Sequence, residues 1–191
     1  MATPAHRLTA EEAIRRYGDP DAHGYEFVNG RLVPVSPASP VHGRVIGEVA
    51  RVLGNFVHEH GGGRVYVDPG CVLGLPGDPE RMRGPDVAFI ADETIAAAGG
   101  ESYDHFLRAV PELAVEIFSI TNEKEPAQFQ ERVRDLLDAG VRILWVIYPR
   151  GRYAVVHHPD GWARMLREHE SLDGEDVLPG LSIRVGELLD G

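Results

Sequence analysis

Two carboxylates set in apolar sequence are the residues of this chain best placed to do chemistry. Glu116 interrupts the run Leu113-Ala114-Val115-Glu116-Ile117-Phe118, and Asp86 follows Pro85 and opens Val87-Ala88-Phe89-Ile90. A buried carboxylate without a partner is costly, so each needs a cation, a metal ion or a retained proton. Strand alternation puts Ala114, Glu116 and Phe118 on one face and Leu113, Val115 and Ile117 on the other, while Asp86 shares a face with Ala88. On neighbouring strands, two such acids beside small alanines would form a hard-cation site suited to Mg²⁺ or Mn²⁺ rather than zinc. The competing arrangement is a salt bridge from each acid to one of the many arginines.

Other chemical groups carry weaker signals. Glu26 shares a hairpin face with Val28, Arg31 and Val33, which fits an exposed cross-strand charge as well as a place near a metal. His42, near the start of a long helix, can reach phosphate or the carboxylates, or simply pack. His58, His60, His105, His157 and His158 show no ligand spacing, and the adjacent pair points to opposite faces of a strand. Gly61-Gly62-Gly63 ends a helix and lacks the strand-to-helix setting of a phosphate loop. Lys124, the single lysine, lies in Asn122-Glu123-Lys124-Glu125-Pro126, which reads as a solvated helix entry.

Elements that could position these residues are legible along the chain. Thr9-Ala10-Glu11-Glu12 is a capping box opening a helix over about residues 10–17, with Gly18-Asp19-Pro20 as its stop. Tyr25 to Val28, Asn29-Gly30 and Arg31 to Val35 predict a hairpin on a type I′ turn. Ser39-Pro40 starts a helix to about His60, whose apolar face is read as Val41, Val45, Val49, Val52, Leu53 and Phe56. Strands are expected around 64–68, 71–75, 87–90, 113–118, 142–148, 153–158 and 162–166, with helices near 126–139 and 185–189. This order predicts an α/β sandwich: a mixed central β-sheet flanked by helices, with an N-terminal hairpin.

At 191 residues, 43% hydrophobic and 26% charged, the chain reads as one domain over 1–191, with residues 1–8 flexible. No apolar run approaches the roughly 20 residues that span a bilayer, and no secretion signal opens the sequence. Together with a lone Cys71, this predicts a cytoplasmic protein without disulfides or thiolate zinc. The net charge of −11 argues against nonspecific coating of DNA. A modest basic surface remains open between residues 31 and 85, where Arg31, Arg44, Arg51, Arg64, Arg81 and Arg83 face five acids.

An ordered set of motifs then carries a specific resemblance. Tyr25-Glu26-Phe27-Val28-Asn29-Gly30, Ser36-Pro37 with His42, Arg83-Gly84-Pro85-Asp86-Val87-Ala88-Phe89, Leu113 to Ser119, Ala139-Gly140-Val141 with Leu144-Trp145-Val146, and Leu178-Pro179-Gly180-Leu181 occur in this order. The set resembles a large bacterial family of restriction-endonuclease-like proteins in the PD-(D/E)XK nuclease superfamily. The resemblance implies a metal-dependent endonuclease that hydrolyses phosphodiester bonds in nucleic acid, with DNA as the expected substrate; since symmetric cutting of two strands needs two sites, a homodimer is one arrangement beside a nickase or a metal-binding monomer. It implies that Asp86, Glu116 and the Ile117 carbonyl hold Mg²⁺ or Mn²⁺, with Glu26 nearby and His42 matched.

The superfamily's lysine is the main departure. Two residues after Glu116 stands Phe118, and the alternative helical position is matched by Arg132, which keeps its charge but cannot readily release a proton. Ser119-Ile120-Thr121-Asn122 replaces the family's usual Ser-Pro-Ser-Asp, and Tyr148 stands where an acid is usual. A non-catalytic nucleic-acid- or protein-binding module on the same fold is therefore the competing expectation.

Overall fold

The computed structural model describes residues 8–17, 24–34, 39–102 and 105–191. The Gly18-Asp19-Pro20 stop, Ser36-Pro37 and most of the expected flexible start lie outside the described residues. Helix α1 (Ala10–Tyr17) opens as a capping box: the Thr9 hydroxyl accepts from the Glu12 amide at 3.2 Å, and Glu12 accepts from the Thr9 amide at 3.0 Å. Strands β1 (Tyr25–Val28) and β2 (Arg31–Pro34) form the expected hairpin, with Asn29 and Gly30 at φ of 51° and 75°. Both angles are positive, as a type I′ turn requires.

Helix α2 (Pro40–His60) starts at Ser39, whose hydroxyl accepts from the His42 amide at 3.3 Å. Its buried row is Val45, Val49, Leu53 and Val57, with Val52 and Phe56 beside it. Val41 corrects the predicted face, since it is 52% exposed: the i, i+4 row runs out in the first turn, where solvent replaces the sheet.

After α2 come β3 (Gly63–Val67), β4 (Cys71–Val72), β5 (Met82–Arg83), β6 (Val87–Ala91), α3 (Asp92–Ala97), β7 (Leu113–Ile117) and α4 (Ile120–Lys124). They are followed by α5 (Pro126–Ala139), β8 (Ile143–Tyr148), β9 (Tyr153–His157), β10 (Ala163–Arg167), β11 (Ser171–Asp173), β12 (Ser182–Arg184) and α6 (Val185–Asp190). The predicted strand over 71–75 contracts to two residues, and β5, β11 and β12 are additions to the sequence reading.

Six strands form one sheet in the order β10-β9-β8-β7-β6-β3, in which β7 and β8 are parallel and the other neighbours antiparallel. A second sheet, β2-β1-β5-β4, attaches the hairpin, and β11 pairs with β12. Leu113, Val115 and Ile117 point from β7 into the core under α2 and α6, whereas Ala114 and Phe118 face the core under α5. Alternation along this central strand thus falls as predicted, and it turns Glu116 toward α5.

Among the described residues no helix is long and apolar enough to cross a membrane. Most of the arginines that left a basic surface open between residues 31 and 85 are engaged within the molecule, while Arg31 stays exposed on the hairpin. Arg81 and Arg83 are buried, Arg51 pairs with Glu48, Arg64 pairs with Glu101, and Arg44 donates to the Leu189 and Gly191 carbonyls. Folding consumes these charges within the molecule.

Candidate active site

The site gathers at one end of β6 and β7. Antiparallel pairing sets Val87 opposite Val115, so the next pair along is Asp86 and Glu116. The two acids therefore lie on neighbouring strands, as the sequence required of a shared site. Ala88 pairs with Ala114 behind them, and these short side chains leave space beside the carboxylates.

Asp86 is held from two sides. Its Oδ2 accepts from the Ile117 amide at 2.7 Å and lies 3.3 Å from Nε2 of His42, which the first turn of α2 delivers. Burial disfavours the charged imidazole, yet the hydrogen bond and charge of Asp86, with the Ile117 backbone, outweigh it and raise the His42 pKa. The other ring nitrogen, Nδ1, is buried without a hydrogen-bond partner among the described residues.

Glu116 is 2% exposed, and its two oxygens differ. Oε2 accepts from Arg132 at 3.2 Å, whereas Oε1 is buried with no partner among the described residues. Arg132 comes from α5 and also lies 3.1 Å from Oε1 of Glu26. Burial, with Asp86 and Glu26 adding negative charge, pushes the Glu116 carboxyl up to about 8 against the pull of Arg132. Burial also works against the Arg132 charge, but Glu116, Glu26 and Asp86 more than offset it, so Arg132 stays protonated.

Glu26 corrects one of the two sequence readings. It is 3% exposed, not a surface charge on the hairpin, because β5 lies against β1 and supplies Arg83. Arg83 donates to Glu26 at 2.7 Å and to Asp135 Oδ2 through two nitrogens at 2.8 and 2.5 Å. Arg81 continues the network to Asp78, Asp135, Glu131 and Asn29. Neither this network nor Asp68, which follows β3, was singled out from the sequence. Their partners are distant along the chain, and only the burial of Glu26 could have hinted at them.

Phe118 stands two residues after Glu116, where the resemblance leads to the expectation of a lysine. Its ring packs edge-on against Phe129 at 5.0 Å and beside Tyr148 at 4.8 Å, and Tyr148 stacks on Tyr153. Lys124 is exposed on α4, in keeping with a solvated helix entry.

The donor set suits a hard cation. Asp86 and Glu116 offer oxygen ligands beside the Ile117 backbone, and Glu116 Oε1 is a buried acceptor lacking a donor. Once Glu116 is ionised, Arg132 alone does not balance Asp86, Glu116 and Glu26, since Arg83 is shared with Asp135. A divalent ion would supply the missing positive charge. Part of the competing salt-bridge arrangement is present too, because Glu116 pairs with Arg132.

A large mixed sheet with this acidic end, covered by helices on both faces, defines a nuclease-like α/β protein. The chain belongs to the Uma2 family, described as "Putative restriction endonuclease", whose model matches residues 10–186. Among solved structures it is similar to a crystal structure of "a putative nuclease belonging to DUF820" from Anabaena variabilis. That likeness has a TM-score of 0.77 at 16% identity and covers 96% of this chain and 98% of the other. A comparison with curated proteins finds no match.

Proposed function

We propose that this protein is a metal-dependent endonuclease that hydrolyses phosphodiester bonds, with DNA as substrate. The observation that supports it best is Glu116 Oε1, a buried acceptor without a donor, one strand away from Asp86. Asp86, Glu116 and the Ile117 carbonyl would hold Mg²⁺ or Mn²⁺. Such an ion polarises a phosphate and makes its bound water a better nucleophile.

The chain's own residues do the rest. His42 and the Ile117 amide orient Asp86. Arg132 keeps a fixed positive charge at the carboxylates and supports negative charge on a phosphate, but it does not serve as a proton acceptor. Glu26 holds Arg132 in place, itself anchored by Arg83 and by the Gly84 amide at 3.3 Å.

One observation favours a second reading, a nucleic-acid- or protein-binding module without turnover. Arg132, in the place of a lysine, is already engaged by Glu116 and Glu26. The deciding experiment incubates supercoiled and single-stranded DNA with the protein in Mn²⁺, Mg²⁺ or EDTA, beside Asp86→Asn and Glu116→Gln. Metal-dependent nicking lost in both variants supports the nuclease. Metal binding without nicking of any substrate favours the binding module.

A further inference from the structure

A third carboxylate stands in register with the two already described. Pairing sets Val67 of β3 opposite Val87, and Val87 opposite Val115. One step further, the row reads Asp68, Asp86, Glu116 across three adjacent strands. The Asp68 amide donates to the Asp86 carbonyl at 3.1 Å, which carries the ladder over that step. Two positions back, Tyr66, Ala88 and Ala114 form the equivalent row on the face under α5. The period of two returns Asp86 and Glu116 to that face, and the Asp68 side chain, beyond the end of β3, lies close enough to Asp86, Glu26 and Arg132 to feel their charges.

The loop before β6 is shaped around Asp68. A Cβ on Gly84 would lie 2.8 Å from Asp68 Oδ1, so the bare glycine makes room for the carboxylate. The same Gly84 binds the rest of the cluster, its amide donating to Glu26 and its carbonyl accepting from Arg132 at 3.4 Å. Asp68 itself adopts a φ of 50°, a conformation that costs a non-glycine residue on the order of 1 kcal/mol. Among the described residues no ion pair or side-chain hydrogen bond takes up its carboxylate, which remains open to solvent. Although Asp68 is exposed overall, partial desolvation beside its neighbours, and then the charges of Asp86 and Glu26, raise its pKa against the opposing effect of Arg132.

Acids gathered without cations do not by themselves make a site. Here the cluster also contains Glu116 Oε1, buried, unpartnered and within the influence of the same Asp86, Glu26 and Arg132. Among the described residues no three Asp, Glu, His or Cys side chains converge closely enough for all to ligate one ion. Mg²⁺ and Mn²⁺ keep coordinated waters, and an outer carboxylate acts through them.

We propose that Asp68 is the outer carboxylate of the cation site, holding the ion's coordinated water on the solvent side of Asp86 and strengthening metal binding. This rests on the metal reading of Asp86 and Glu116. The test is calorimetry with Mn²⁺ on the full chain, comparing wild type, Asp68→Asn, Gly84→Ala and Asp86→Asn, with melting temperatures in EDTA.

Asp68→Asn is expected to bind Mn²⁺ about tenfold more weakly. In EDTA it is expected to melt at or above the wild-type temperature, because an unbalanced negative charge is gone. Gly84→Ala, which retains the Asp68 charge but displaces it, is expected to weaken binding as well. Wild-type affinity in Asp68→Asn, with binding lost in Asp86→Asn, overturns the role of Asp68 and leaves the metal site standing. A lower melting temperature of Asp68→Asn in EDTA overturns it in favour of a structural role. A wild type that binds no Mn²⁺ overturns both readings.

Discussion

Arg132 donates to Glu116 Oε2 at 3.2 Å across the gap between α5 and β7, leaving the other oxygen of that carboxylate buried with no partner among the described residues. One glutamate thus combines a salt bridge on one oxygen with an acceptor left open on the other, which keeps both arrangements its sequence allowed within reach. The guanidinium lowers the cost of burying Glu116 without satisfying it. A cation arriving at Oε1 would therefore add to the ion pair rather than compete with it.

Arg132→Met should destabilise the metal-free protein by about 3 kcal/mol or more, since it leaves Glu116 and Glu26 facing each other without their shared cation. Mn²⁺ should recover part of the loss by supplying positive charge. Arg132→Lys keeps the charge and restores a group able to exchange a proton, so cleavage in Mn²⁺ should rise, by up to about 10²-fold. Denaturation with and without Mn²⁺, together with nicking rates, checks these outcomes. A lysine variant no faster than wild type would remove the proton-handling argument.

The row of strands explains what the sequence could and could not reveal. Glu116 and Asp86 stood out because charge inside apolar runs is expensive whatever the topology, and alternation fixed their faces. Glu26 stayed ambiguous because Arg83, the residue that buries it, is 57 positions away on a two-residue strand too short to show a pattern. Asp68 sits in an ordinary-looking Asp-Pro-Gly turn, and only the register of β3 against β6 aligns it with Asp86. Arg132 was found through the resemblance, since nothing in the amphipathic pattern of α5 separates it from a surface arginine. Local periodicity drew the elements, while long-range pairing made the site.

The raised Glu116 pKa gives the metal-free fold a signed pH dependence. The unfolded carboxyl releases its proton near 4.5, the ordinary range for a glutamate, whereas the folded one holds it to about 8. Between those values the folded state binds more protons, so Glu116 makes stability fall as pH rises through this window. Chemical denaturation in EDTA at several pH values should show the decline, and Glu116→Gln should flatten it. Parallel curves for the two proteins would mean that Glu116 ionises normally.

His42 should act by orienting Asp86. Its Nε2 contact at 3.3 Å adds to the Ile117 amide bond in fixing the carboxylate, and the first turn of α2 sets the ring in place. His42→Ala should weaken Mn²⁺ binding about tenfold, read at alkaline pH because Asp86 raises the pKa of the ring and so extends the range in which its charge would repel the ion. Its melting temperature should stay near that of wild type, because Val45 and the rest of the buried row lie further along the helix. Unchanged affinity in calorimetry would assign His42 to packing alone.

The buried network behind the site should be cooperative. Arg83 joins Glu26 on β1 to Asp135 on α5, and all three are nearly inaccessible to solvent. Replacing one member strands charge in a dry setting, so Arg83→Met should cost about 3–5 kcal/mol. Asp135→Leu should also destabilise, because Arg81 and Arg83 both donate to that carboxylate. The double variant removes opposite charges together and should lose less than the sum, by about 1–3 kcal/mol in a double-mutant cycle. Strict additivity in urea denaturation would show that the two residues stabilise the fold independently, and that Glu26 is held near Arg132 by the hairpin rather than by the ion network.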